Sequence, residues 1–281
     1  MRMNEFPYSF LLSIYAKEKP EYLSVAIDSM LDQTVAPDEI VMVKDGPLTP
    51  ELEEVLAAYV EANPGLFKFV CLTENKGLGY ALSKGILACA NELIARMDTD
   101  DYSVPNRIER QLVEFRKDPA LDMLGTQVYE FIESPDKPIS VSNLPTEPES
   151  IKTYSKRRNP FRHTPMMFRK SCVLSVGNYS SEYLFFEDWD LFNRMLAHGC
   201  KGRNLDDPLV SVRVSPDFFG RRGGVSYLKH IWKFKSEQLR CGYFSPMDFC
   251  VSFVPHALVC LMPNALRSFV YTKMLRKEAH A

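Results

Sequence analysis

The sequence predicts an α/β fold, with a mostly parallel sheet covered by helices on both faces and a helical C-terminal extension. That expectation rests on three features. Short apolar runs alternate four times with segments of helical period before residue 120, each run ends in turn-forming or acidic residues, and the chain beyond residue 221 turns helical and apolar.

The first run, Phe10 to Tyr15, is followed by Pro20 and by Leu23, Ala26, Ile27, Met30 and Leu31 at helical spacing. Proline suits the first helical position, where its missing N–H costs nothing. Glu39 to Lys44 is the second strand, and Thr49-Pro50 opens a helix carrying Leu52, Val55, Leu56, Tyr59 and Val60. The third round pairs Phe67 to Leu72 with a helix over Tyr80 to Ala90. A fourth strand, Leu93 to Met97, ends in Asp98-Thr99-Asp100-Asp101, and Pro105 begins the next helix. Strands joined through helices pair in parallel. The second half reads as mixed. It has a longer strand from Met123 to Ile132, a proline-punctuated stretch from Pro135 to Pro148, and a basic cluster at Lys156, Arg157, Arg158, Arg162 and His163. Glu187-Asp188-Trp189-Asp190 then leads into a helix ended by Gly199, and Arg221-Arg222-Gly223-Gly224 forms a basic loop. The expected division is a catalytic domain over 1–220, with halves 1–120 and 121–220, and an extension over 221–281.

Composition narrows the classes. With 34 Lys+Arg against 36 Asp+Glu in 281 residues, the net charge of -2 argues against a dedicated nucleic-acid binder. A hydrophobic share of 46% excludes a disordered chain. The seven cysteines are odd in number, scattered and never arranged as C-x-x-C, so they read as free thiols of a reducing compartment. The apolar stretch Phe6 to Tyr15 contains Pro7 and runs into Lys17-Glu18-Lys19, which does not suit a secretory signal. A cytoplasmic protein is the expectation.

In open parallel sheets ligands bind beyond the carboxyl ends of the strands. Those positions hold Tyr15, Asp45-Gly46, Asn75-Lys76-Gly77 and Asp98-Thr99-Asp100-Asp101. Acidic residues clustered at one strand end repel each other unless a cation relieves them, and hard divalent ions take carboxylate and phosphate oxygens together. A metal-diphosphate site therefore fits Asp98 and Asp100, while a solvated acidic turn is the plainer alternative. Asp45-Gly46-Pro47 reads equally as a turn, and Tyr15 equally as a core aromatic. Their interest is the shared edge, where Tyr15 could stack on a base and Asp45 accept a hydrogen bond from it.

The ordered set Ser13-Ile14-Tyr15, Asp28 to Thr34, Lys44-Asp45-Gly46, Asn75-Lys76-Gly77, Asp98-Thr99-Asp100-Asp101, Pro105-Asn106-Arg107 and Glu187-Asp188 resembles glycosyltransferase family 2 over about residues 8 to 215. The resemblance implies a GT-A fold and transfer of a sugar from a nucleotide-sugar, the expected donors being UDP-sugars, with inversion at the anomeric carbon. It is closest in kind to enzymes that build bacterial surface polysaccharides such as capsule or O-antigen. Carried over by position, it places Tyr15, Glu18, Asp45, Asn75, Gly77, Asp98 and Asp100 at the donor, Asp98 and Asp100 on a Mn²⁺ or Mg²⁺ ion, and Asp188 as catalytic base with Glu187 beside it. Lys44 departs from the acidic residue common before Asp45. No Gln-x-x-Arg-Trp motif follows Asp188, so one sugar per encounter is expected rather than polymerisation.

The chemistry accounts for these parts. Attack on an anomeric carbon passes through an oxocarbenium-like state, and a departing nucleoside diphosphate is already anionic, so a Lewis acid can replace the carboxylic acid of hydrolases. One carboxylate then remains to be assigned, the base for the acceptor hydroxyl. Asp188 at a helix start also suits the macrodipole alone. Arg162, His163, Arg221 and Arg222 are weaker candidates for acceptor or phosphate contacts.

In the tail, Phe249 to Met262 is apolar but broken by Pro255 and His256, short of the about 20 residues a span requires. With Arg267, Lys273, Arg276 and Lys277 beyond it, the segment suits the surface of an anionic leaflet, and removal after Pro246 is expected to spare the chemistry. Packing on the catalytic domain or on a second subunit, as in a homodimer, is the alternative. The expected acceptor is a saccharide, on a polyprenyl diphosphate. A sugar-1-phosphate nucleotidyltransferase or a non-catalytic nucleotide-sugar-binding assembly protein are the competing readings. The first needs a Gly-rich, Arg-containing loop where Ala16 to Pro20 stand.

Overall fold

The computed structural model describes residues 6–214, 223–263 and 277–278. The first half follows the predicted alternation: β1 (Tyr8–Ile14), α1 (Pro20–Leu31), β2 (Glu39–Lys44), α2 (Pro50–Ala62), β3 (Phe67–Cys71), α3 (Leu78–Ala88) and β4 (Leu93–Arg96). Then come β5 (Tyr102–Ser103), α4 (Arg107–Lys117), β6 (Leu121–Phe131), β7 (Ser140–Val141), α5 (Pro148–Ser155), β8 (Met167–Arg169), α6 (Lys170–Ser175), α7 (Glu187–Ala197) and β9 (Lys201–Arg213). The extension adds α8 (Gly224–Arg240), α9 (Pro246–Leu261) and β10 (Lys277–Glu278).

The strands form one mixed sheet in the order β3-β2-β1-β4-β8-β6-β7-β10. β1 to β4 are parallel, β8 runs antiparallel to β4 and β6, and β9 pairs in parallel along β6 and antiparallel with β5. Parallel pairing is thus confined to the nucleotide-type half and to β6–β9. The 13-residue β9 is the longest of the elements the sequence reading lacks. Its Asp206-Asp207-Pro208 looks like a turn, yet the β6–β9 ladder shifts register there, and an irregular ladder is where a strand tolerates proline.

Alternate residues of β1 serve opposite faces. Phe10, Leu12 and Ile14 join Leu23, Ile27 and Met30 of α1, Leu52 of α2 and Ile108 of α4, whereas Leu11 joins Val41, Val43, Leu82 of α3 and Leu191 of α7. Each fully buried Leu, Ile or Phe contributes about 1.5–3 kcal/mol. A Cβ on Gly85 would stand 2.3 Å from Leu11 Cδ1, so α3 lies flush on the sheet.

The helices of the extension pack on α7. Phe234 and Phe244 cluster with Trp189, Asn193 donates to Gln238 at 2.9 Å, and the fully buried Lys235 bonds the Ser252 carbonyl at 2.5 Å. One expectation is corrected: Cys172 and Cys200 form a disulfide, while the other five cysteines keep their thiols. They stand 28 residues apart, and it is the packing of α6 beside the approach to β9 that joins them, which spacing alone does not reveal.

Candidate active site

β1, β2 and β4 are parallel, so their carboxyl ends share one edge. Tyr15 lies exposed at the end of β1. Asp45, buried just past β2, accepts the backbone N–H of Lys76 at 2.7 Å and that of Gly77 at 3.0 Å, while Asn75 Nδ2 donates to its carbonyl at 3.3 Å. Asp45 therefore clamps the loop before α3. Close approach also demands Gly46, whose φ is +89° and whose added Cβ would lie 2.8 Å from the Asn75 nitrogen.

The turn after β4 is more elaborate than a solvated acidic turn. Arg96 is fully buried and forms an ion pair with Asp98, with no hydrogen bond reaching its Nε or Nη2. The Thr164 hydroxyl lies 2.7 Å from Asp98 Oδ2 and 2.8 Å from Asp101 Oδ2. One hydroxyl proton cannot serve both oxygens. The hydroxyl is placed to donate to either carboxylate, and burial, then the charges of Asp100 and Asp98, push the Asp101 carboxyl well above its ordinary range. Burial acts to raise Asp98 as well, but the Arg96 charge and the Thr164 hydroxyl hold it below the usual range. At Asp100 the balance runs the other way: burial, Asp98 and Glu18 push it up to about 7 against the weaker pull of Arg213. Glu18 reaches this turn through the Thr99 hydroxyl at 2.5 Å. Arg213, at the end of β9, holds the backbone from the far side, donating from Nε to the Asp100 carbonyl at 3.1 Å and from its own N–H to Asp101 at 2.8 Å.

The first turn of α7 forms the opposite wall. A Cβ on Gly79, in the first turn of α3, would lie 2.3 Å from the Ser180 carbonyl oxygen and 3.2 Å from Glu187 Cβ, so the two halves meet with no spare space. Glu187 is buried; burial and then the adjacent Asp188 push it up to about 8, against the pull of Arg96. Asp188 accepts the Asn159 side-chain amide at 2.7 Å on one oxygen and the Trp189 N–H at 2.7 Å on the other. His163 bonds Tyr179 at 2.8 Å, and burial with Arg96 nearby drives it far below its ordinary value, so it sits there as a neutral ring rather than a phosphate-binding cation. Arg162 lies 3.5 Å from Glu130. Arg221 and Arg222 fall outside the described residues.

The structure thus brings Glu18, Asp98, Asp100, Glu187 and Asp188 around one region, with Asp45, Asn75 and Gly77 bracing its rim. Sequence reading missed Arg96, Asn159, Thr164, Tyr179 and Arg213. A charge inside the apolar run of β4 was the one available signal, for Arg96. The donor set fits a hard divalent ion: Asp98 and Asp100 offer oxygens, and the burial and the carboxylate repulsion that raise Asp100 are what a cation would relieve. Asp101 is spoken for by Thr164 and Arg213 and is a supporting residue.

Comparison with known proteins identifies the family. The family model described as glycosyl transferase family 2 matches residues 9–177. The chain is 36% identical over 270 residues to the UDP-Gal:alpha-D-GlcNAc-diphosphoundecaprenol beta-1,3-galactosyltransferase of Escherichia coli, covering 96% of this chain and 97% of that protein. It is 34% identical over 269 residues to the amylovoran biosynthesis glycosyltransferase AmsE of Erwinia amylovora, covering 95% and 98% respectively. Among solved structures, Staphylococcus aureus TarS 1–349 in complex with UDP-GlcNAc superposes with a TM-score of 0.66 at 14% identity, over 95% of this chain and 75% of that one. The mannosyltransferase PcManGT of Pyrobaculum calidifontis, in complex with GDP-Man and Mn²⁺, gives 0.63 at 14% identity, over 92% and 71%. These structural likenesses speak to fold alone. The chain belongs to glycosyl transferase family 2 and is a glycosyltransferase with a GT-A-like fold.

Proposed function

We propose that the protein is an inverting, metal-dependent transferase that moves one sugar per encounter from a UDP-sugar to a saccharide carried on a polyprenyl diphosphate, in surface polysaccharide biosynthesis. The observation that carries this reading is the placement of the Asp98–Asp101 turn against the Glu187–Asp188 turn, one wall for a leaving diphosphate and one for a base. The relative acting on GlcNAc-diphosphoundecaprenol, similar along nearly its whole length, supports the donor and acceptor class.

On this reading Tyr15 stacks on the uracil, and Asp45, through Asn75 and Gly77, fixes the rim against which the nucleotide lies. Asp98 and Asp100, with Glu18 beside them, hold the ion. Bound Mn²⁺ or Mg²⁺ supplies Lewis-acid stabilisation to the departing diphosphate. Asp188 takes the proton of the acceptor hydroxyl as its oxygen bonds to the anomeric carbon, while the bond from that carbon to the UDP oxygen breaks on the opposite face. Glu187, kept near neutrality, limits the negative charge beside the base. Arg162 and His163 line the acceptor side, His163 without charge.

Among the described residues no helix is long and apolar enough to cross a membrane. Met247, Val251, Val254, Leu258 and Leu261 nevertheless form one exposed stripe along α9, at spacings of three and four. We place this stripe on the cytoplasmic leaflet that carries the acceptor; Arg267, Lys273 and Arg276, later in the sequence, lie outside the described residues. The test of the function is incubation with a panel of UDP-, GDP- and dTDP-sugars, UDP-galactose included, with Mn²⁺ and a lipid-diphosphate GlcNAc. A product one hexose heavier from a UDP-sugar supports the reading. Nucleotide binding without any product, or a nucleotidyl transfer, overturns it.

A further inference from the structure

Phe186, the residue before Glu187, has φ 72° and ψ 11°, a left-handed conformation. A bulky L-residue is an outlier there and persists only where its surroundings over-determine it. The other non-glycine residue with positive φ among those described is Asn178, a type that tolerates it. Something must hold Phe186, and the contacts of its ring show what does. It stacks on Phe234 of α8 with centroids 5.2 Å apart and planes at 15°, and meets Tyr227 of α8 at 5.8 Å, His256 of α9 at 6.3 Å and Trp189 of α7 at 6.2 Å. Trp189 is pinned in turn by its Nε1 bond to the Ser155 carbonyl at 2.8 Å. The carbonyl of Phe186 accepts the N–H of Asp190 at 2.9 Å, so the strained residue sets the first turn of α7 and with it the aim of the next two side chains, Glu187 and Asp188.

We infer that Phe186 is a positioning residue for Asp188, and that the α8–α9 pair belongs to the catalytic apparatus because its aromatic side chains hold Phe186 in the left-handed state. This rests on Asp188 as the proton acceptor, and it opposes the expectation that the tail is a detachable anchor. Donor binding lies on the strand ends of the other half and is untouched by the aromatic box. The box therefore acts on turnover and not on nucleotide affinity.

The test uses the full chain with three substitutions, Phe234→Leu, Phe186→Gly and Asp188→Asn, and the double variant Phe234→Leu with Asp188→Asn. Glycine takes φ 72° without strain but leaves the box empty, so it separates ring anchoring from backbone tolerance. Phe234→Leu and Phe186→Gly should each lower kcat by about tenfold or more, the scale of a misplacement near 1 Å. UDP–Mn²⁺ affinity and stoichiometry should stay within about twofold, and the double variant should be no slower than Asp188→Asn, since residues acting as a unit are non-additive. Unchanged kcat in Phe234→Leu, a loss that follows the UDP-binding stoichiometry, or additive losses in the double variant overturns the inference. If Asp188→Asn alone keeps near-normal transfer, the base assignment fails and takes the inference with it; an inactive Asp188→Asn beside a fully active Phe234→Leu defeats the inference alone.

Discussion

Asp188 Oδ2 accepts a hydrogen bond of 2.7 Å from the Asn159 side-chain amide, so the proposed base is oriented by a residue on the loop after α5. Asn159→Ala removes that donor and frees the carboxylate to rotate. Turnover should fall by about tenfold, within the range a lost orienting contact costs, with UDP affinity unchanged. Steady-state kinetics beside calorimetric UDP titration checks the split.

Glu187 sets a pH dependence of stability. Its folded value of about 8 lies above the ordinary 4.5, so the neutral form favours folding. The stability it allows is fully present below about pH 4.5 and is lost as pH rises through about 8. Glu187→Gln stays neutral throughout. Thermal unfolding should therefore show the variant gaining on the wild type between pH 5 and pH 8.5, and a constant difference would remove the buried carboxyl as the cause.

The first half of the fold was legible because local signals agreed. Pro20 and Pro50 stand at helix starts, and the near-continuous apolar run from Phe10 to Ile14 reports a strand buried on both faces. β9 was hidden because Pro208 breaks its pattern at an irregular ladder. At the site, Asp45, Asp98, Asp100 and Asp188 were visible as acidic residues after strands or at a helix start. Thr164, Asn159 and Arg213 were not, since each reaches the site across 25 or more residues through a fold that no local spacing encodes. The left-handed Phe186 has no sequence mark at all.

Asp100 should report the ion. Asp100→Asn replaces an anionic ligand by a poorer one for a hard cation, so Mn²⁺-dependent UDP binding should weaken by about tenfold or more, and excess chelator should reproduce the defect in the wild type. Full transfer in chelator would exclude a metal role for Asp98 and Asp100 together.

The α9 stripe is testable by flotation. Leu258→Glu places a charge amid Val251, Val254 and Leu261, all exposed, where it disturbs no core contact. Binding to vesicles of anionic phospholipid should drop by about tenfold, while transfer to a soluble acceptor persists. Flotation unchanged by the substitution, or a concentration-dependent dimer that the substitution dissolves, would assign the stripe to something other than a membrane.

The division of labour between the two walls is tested most directly at Asp188. Asp188→Asn keeps shape and the helix start but removes the proton acceptor. Single-turnover transfer should fall by about 10² to 10⁴, the usual worth of a positioned base, while calorimetry finds UDP and Mn²⁺ binding as in the wild type. Transfer within about threefold of the wild type, less than roughly 1 kcal/mol of barrier, would contradict the assignment and with it the placement of the base on α7.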